Sequence, residues 1–210
     1  MGEPLAPPFL QGRTMASDVD ICNSALNMLG ASNIVSLTED SRAGRVCNQR
    51  YTFVRDAVMR AHPWNCLVQR ASVAADATAP AFEFDYAHTL PTNPYCLRVL
   101  RPQDPDTVFR VEGRKILSNT TPFKFIYIAR ITDPNEYDQL FIESLAARLA
   151  ADISYALVNS NALTQSLFAL YESKLSEARF VDATEGTPDN LVNIDRAQYV
   201  ESDLLISSRF

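Results

Sequence analysis

The sequence predicts an α+β fold that is mainly α: an antiparallel helical bundle with an inserted small β-sheet lobe and an extended C-terminal arm. Three observations carry this expectation. Apolar residues recur at helical spacing in two separated stretches, the spacing drops to two between them, and prolines concentrate in that middle stretch. The resulting division places the bundle at residues 17–63 and 131–186 and the β-rich lobe at 64–130. A leader occupies 1–16 and the arm 187–210.

The first helix is expected over residues 17–29. Val19, Cys22, Ala25, Leu26 and Leu29 share one face, Ser17 and Asp20 have capping spacing, and Gly30 stands where a helix end favours a left-handed residue. A second helix follows over 41–61 with a stripe of Ala43, Cys47, Tyr51, Val54, Val58 and Ala61. His62-Pro63 stops it, because proline disfavours helical geometry at the residue before it.

From 64 to 130 the period is two. Phe82, Phe84 and Tyr86 alternate with Glu83 and Asp85. Strands at 108–111 and 115–117 flank a Glu112-Gly113-Arg114 turn, and Phe123, Phe125, Tyr127 and Ala129 form another alternating run. Pro80, Pro91, Pro94, Pro102, Pro105 and Pro122 keep the strands short, so one small, mostly antiparallel sheet is expected.

Helical spacing resumes after Asp133-Pro134-Asn135-Glu136, which reads as an N-cap, a first-turn proline and a capping-box acid. Phe141, Leu145, Leu149, Ile153 and Leu157 follow in steps of four, and Asn159-Ser160-Asn161 interrupts. A fourth helix over about 162–182 turns Leu163, Leu167, Leu170, Leu175 and Ala178 inward. Residues 187–210 are polar apart from Leu204, Leu205, Ile206 and Phe210, too few apolar groups for a core of their own. Met15 offers a second start, and residues 1–14 are set aside from the fold.

Composition narrows the function. No apolar run reaches the ~20 residues of a membrane span, so no membrane role is expected. A net charge of −6 disfavours tight binding to a nucleic-acid backbone but suits a passage that repels phosphates. Cys22, Cys47, Cys66 and Cys96 are widely spaced without a C-x-x-C pair, and they read as reduced core thiols rather than a metal site or disulfide framework.

The residues of enzymatic chemistry are sparse. His62 sits at a helix end and His88 in a proline-rich loop. No G-x-S-x-G, phosphate-cradling glycine motif or H-E-x-x-H occurs. Neither catalytic residues, cofactor nor metal are expected. Paired carboxylates such as Glu136, Asp138 and Glu143 leave open a peptidoglycan-cleaving activity, because glycosidases need no fixed spacing between their acids. Acids early in a helix also stabilise its dipole. A binding or regulatory module is a further alternative.

Arg42, Arg45, Arg50, Arg55 and Arg60 spread around the second helix. Their plain reading is solvated charge, while Arg50, beside the apolar stripe, is also placed to pair with an acid across a subunit boundary. Trp64, the sole tryptophan, is expected to pack the junction of helices and sheet, or else to anchor an interface.

The ordered run Ile21-Cys22-Asn23-Ser24-Ala25-Leu26-Asn27-Met28-Leu29-Gly30, then Ile34 to Ser41, then Arg55-Asp56-Ala57-Val58-Met59-Arg60-Ala61-His62-Pro63-Trp64-Asn65 resembles the tail tubular protein A family of phage head-to-tail adaptors. Ala43, Cys47 and Tyr51, the Tyr86 to Leu90-Pro91 stretch and Cys96-Leu97-Arg98-Val99 extend the resemblance. It spans roughly residues 18–182 and is most specific at His-Pro-Trp-Asn.

The resemblance implies a virion structural protein rather than an enzyme, assembled in the host cytoplasm. It would form a twelve-copy ring beneath the portal protein, with a tail nozzle or other tail proteins below. DNA would pass through the lumen without specific binding. Trp64, Arg50, Leu204, Leu205, Ile206 and Phe210 are the expected portal or subunit contacts. His88-Thr89 and Thr92-Asn93-Pro94-Tyr95 lengthen the family pattern around the Leu90-Pro91 step.

Overall fold

The computed structural model describes residues 16–185. The arm at 187–210 and all but the last residue of the leader lie outside the described residues.

Helix α1, Asp18–Met28, starts with a reciprocal capping box: the Ser17 hydroxyl accepts the Asp20 N–H and the Asp20 carboxylate accepts the Ser17 N–H, each at 3.1 Å. Gly30 follows it at φ +66°, the left-handed geometry expected of a residue past a helix end. The connector to the next helix is tied back to α1 by Asn23, whose amide bonds both the N–H and the C=O of Ile34. Helix α2, Arg42–Ala61, is capped by Ser41 and ends before Pro63. Its buried face is the predicted stripe of Cys47, Tyr51, Val54 and Val58, widened by Arg55 and Met59, while Ala61 is exposed.

The third helical start differs from expectation. Asp133 caps only a 3-10 turn, Pro134–Glu136, and helix α3, Gln139–Val158, is capped instead by Asp138, whose Oδ1 accepts the N–H groups of Leu140 and Phe141. Asn159 at φ +57° ends α3, and Ser160 caps helix α4, Asn161–Thr184. Helix α3 is the hub of the helical part. It packs on α1, α2 and α4, whereas α1 and α2 barely meet. Packed against three helices, α3 buries ten of its twenty residues, including Phe141, Leu145, Leu149 and Ile153.

The middle of the chain forms two sheets, not the single one expected. Strands β1 (Val68–Val73), β6 (Phe123–Arg130) and β3 (Tyr95–Pro102) make one in the order β1-β6-β3. Strands β2 (Tyr86–Thr89), β5 (Lys115–Ser118) and β4 (Phe109–Glu112) make the other in the order β2-β5-β4. Every pairing is antiparallel, and β4 and β5 turn at Gly113, φ +57°. The Phe82-Phe84-Tyr86 alternation is not a strand: Glu83 adopts φ +75° and Phe82 is 80% exposed.

Two cores share the first sheet. On one face Phe123, Phe125, Tyr127, Ala129 and Cys96 pack with Ile116 of the second sheet, and on the other Ile128, with Leu97 and Leu100, joins the helical core. The β region is thus joined to the helices through one part of the first sheet, around Leu97, Leu100 and Ile128. His88 lies in β2 rather than in a loop and is wholly buried. Its Nδ1 donates to the Ala74 carbonyl at 3.1 Å and its Nε2 meets the Ser118 hydroxyl at 3.2 Å. Cys22, Cys47 and Cys96 are buried and Cys66 half-buried, all as free thiols. A hydrogen bond to Cys47 and burial hold the Cys22 thiol well above the usual range, which keeps it protonated.

Candidate functional site

A highly charged concavity among the described residues opens where the C-terminal half of α2 meets β3 and the β4–β5 turn. It is a cleft of about 510 Å³ whose walls carry Arg60, Arg98, Arg114 and Arg130 around Tyr95, with Asp56 as its one lining carboxylate. The Tyr95 ring lies between two guanidinium groups, Arg114 at 3.9 Å and Arg130 at 4.4 Å from its centroid, so the quadrupole of the ring offsets part of their charge.

Backbone carbonyls orient the remaining donors. Arg114 donates to Cys96 and Pro91 at 2.7 Å each, Arg60 donates to Leu97, and Arg98 reaches Arg60 at 3.4 Å. Asp56 is shared, accepting from Arg130 at 2.6 Å and from Arg55 at 3.1 Å, and the Nε of Arg130 is buried without a hydrogen-bond partner. Four guanidinium groups facing one already divided carboxylate make a standing positive field in a chain whose net charge is −6. Planar forks of N–H donors of this kind suit carboxylate or phosphate oxygens.

Two residues expected at interfaces are engaged inside the chain. Trp64 is 1% exposed; its Nε1 donates to the Val58 carbonyl at 3.0 Å, and its ring meets Phe141 and His62 edge-on. That places it at the junction of helices and sheet and corrects its assignment as an interface anchor, since no face of the ring is left for a partner. Arg50 pairs with Asp152 of α3 in the same chain, at 2.6 Å. Leu204, Leu205, Ile206 and Phe210 lie outside the described residues.

The acids considered for catalysis have structural neighbours: Asp138 caps α3, Glu143 pairs with Lys174 at 2.7 Å, and Glu136 closes the 3-10 turn. No group of three or more metal-ligating side chains occurs among the described residues, and no described helix is long and apolar enough to cross a membrane.

Sequence reasoning overlooked the second feature suited to a partner, the outer side of the helices. Helix α4 buries only Leu167, Leu175 and Ala178 among its 24 residues because it packs chiefly on α3. Leu170, expected inward, is instead exposed on α4, as are Phe180 (73%) and Val181. Phe53 of α2 and Tyr155 and Val158 of α3 are exposed as well.

The free end of α4 is fastened by a polar clamp. Asp182 accepts the Asn65 N–H at 2.9 Å and lies 3.1 Å from His62 Nε2, while the Asn65 amide donates to the Asp182 carbonyl. Burial holds His62 below its ordinary pKa, with Arg179 and Arg98 adding to the effect, although Asp182 pulls the other way. The contact is therefore a hydrogen bond from a neutral imidazole near pH 7, not an ion pair. Because the folded chain binds this proton more weakly than the unfolded chain, the associated stability is full above about pH 6.5 and falls as pH drops through the depressed folded pKa. Urea unfolding at pH 7.5 and 5.5 checks this. The loss should be less than about 1.4 kcal/mol per pH unit, and His62→Gln should remove that part of the slope.

No protein-family model and no curated protein matches the chain.

Proposed function

We propose that this chain is a virion structural protein, a head-to-tail adaptor that assembles as a twelve-copy ring between a portal protein and the tail, through which DNA passes without specific binding. The motif run from Ile21 to Asn65 is the sequence support. The observation that carries the reading furthest is the one-sided packing of α4 beside exposed Leu170, Phe180 and Val181. A 24-residue helix that packs chiefly on one neighbour and leaves apolar side chains in water is suited to a contact between copies. In this reading the four helices act as an antiparallel bundle whose outer sides meet in a closed, head-to-tail ring. The region 187–210 is an extended arm, with Leu204, Leu205, Ile206 and Phe210 gripping the portal or a neighbouring copy.

The net charge of −6 suits a conduit that repels phosphates. Assembly itself is the mechanism: weak contacts repeated around a ring reinforce one another, so a multivalent portal ring is a far better partner than a single portal subunit. The partners are the portal, a tail nozzle or other tail proteins, and further copies of this chain, in the virion neck. Electron microscopy of the purified chain mixed with portal rings tests the reading, with an added twelve-fold layer at one end of the portal as the expected result. Removal of residues 187–210 should weaken portal binding at least about tenfold in a pull-down, a change of roughly 1.4 kcal/mol. Unchanged binding would show that the arm has no part in docking.

A further inference from the structure

We propose that the arginine cleft around Tyr95 is the docking site, within the same chain, of the acidic-apolar segment 199–206. This inference does not rest on the adaptor reading. The cleft has an unmet charge requirement: among its described lining residues four arginines, Arg60, Arg98, Arg114 and Arg130, stand beside one carboxylate, Asp56, which is taken up by Arg130 and Arg55. It also has apolar walls, from Leu90, Val99 and Val111. The segment 199–206, Tyr-Val-Glu-Ser-Asp-Leu-Leu-Ile, offers the complement: Glu201 and Asp203 beside Leu204, Leu205 and Ile206, with no basic residue between Arg196 and Arg209.

The chain also leaves the described fold close to the cleft. Asp182, three residues before Glu185, is bonded to His62 and Asn65, just past the end of α2 that carries Arg60. Arg98 bonds the Arg60 carbonyl and lies near enough to His62 to oppose its protonation. From Glu185 to Glu201 the chain has sixteen steps, a reach of roughly 50 Å when extended, ample to return to the cleft from that point. Carboxylates on planar guanidinium forks supply direction, and the apolar residues cover the hydrophobic walls. Docked there, the segment shields the positive field of the free protein, and it must leave the cleft before its apolar residues can engage any other partner.

Amide hydrogen exchange on the full-length protein tests this, read on peptides covering 199–206. Exchange in the unmodified chain should be at least about tenfold slower than for the same sequence as a free peptide, at every protein concentration. Arg98→Glu is the informative change, because Arg98 is exposed and its hydrogen bond to the Arg60 carbonyl is a long one, 3.4 Å. Either Arg98→Glu or Asp203→Arg should return exchange to within about twofold of the free peptide, and the two together should restore protection. Three results would overturn the proposal: free-peptide exchange in the unmodified chain, protection indifferent to both substitutions, or protection that disappears on dilution, which would make a second copy the occupant. All are read on the free protein without portal, so they are independent of whether a ring forms.

Discussion

Trp64→Ala is expected to destabilise the fold by about 3–5 kcal/mol, lowering the thermal midpoint by roughly 10 °C. The ring is 1% exposed and wedged between α2, α3 and the start of the β region, where it meets Phe141 at 5.1 Å and His62 at 4.8 Å. Its removal leaves a cavity that rigid helices cannot close, and it leaves the Val58 carbonyl without the indole N–H. Trp64→Phe should fall between the two, retaining most of the apolar contact and losing the hydrogen bond. Phe53→Ala is the control, because Phe53 is 68% exposed and its loss should cost under about 0.5 kcal/mol. Urea unfolding of the three variants checks the ranking. Equal midpoints for Trp64→Ala and Phe53→Ala would mean that the junction is not a packed core.

The second large effect concerns assembly. Leu170→Asp combined with Phe180→Asp should lower the unfolding midpoint of the single chain only modestly, since Phe180 is 73% and Leu170 38% exposed on α4. The same pair should weaken association between copies by at least about 100-fold, roughly 2.7 kcal/mol, because two carboxylates would be forced into a contact that excludes water. Sedimentation of portal mixtures measures the difference. Rings of normal occupancy with the double variant would place the contact between copies elsewhere.

The helices were legible because local rules and burial agree in them. Ser17 and Gly30 bound α1 as their chemistry dictates, and the four-residue steps of α3 are its buried face. Asp133 misled because its motif is satisfied by one 3-10 turn, and Asp138, five residues on, repeats the capping chemistry.

Strand β3 was hidden by its own irregularity. Register shifts between Cys96 and Arg98 and between Val99 and Arg101 let Cys96 and Val99 face one core and Leu97 and Leu100 the other, so no period of two appears in the sequence. His88 shows the same limit, because a loop reading from nearby prolines carries no information about the Ser118 hydroxyl thirty residues away.

The arginine cleft was not legible at all. Its guanidinium groups come from α2, β3, the β4–β5 turn and β6, and only the pairing of those strands gathers them. One trace was present in the sequence: Tyr95, the ring between two of them, belongs to the stretch Thr92 to Tyr95 that lengthens the family pattern. The partner of Arg50 was equally hidden, because a sequence cannot place Asp152, 102 residues later, beside it.

The most direct test of the adaptor account is the mass of the complex formed with portal rings, measured by light scattering after separation from excess chain. The account predicts a gain of twelve copies of a 23.4 kDa chain, about 281 kDa per portal ring. A portal whose mass does not change at saturating concentrations of the intact chain would contradict it.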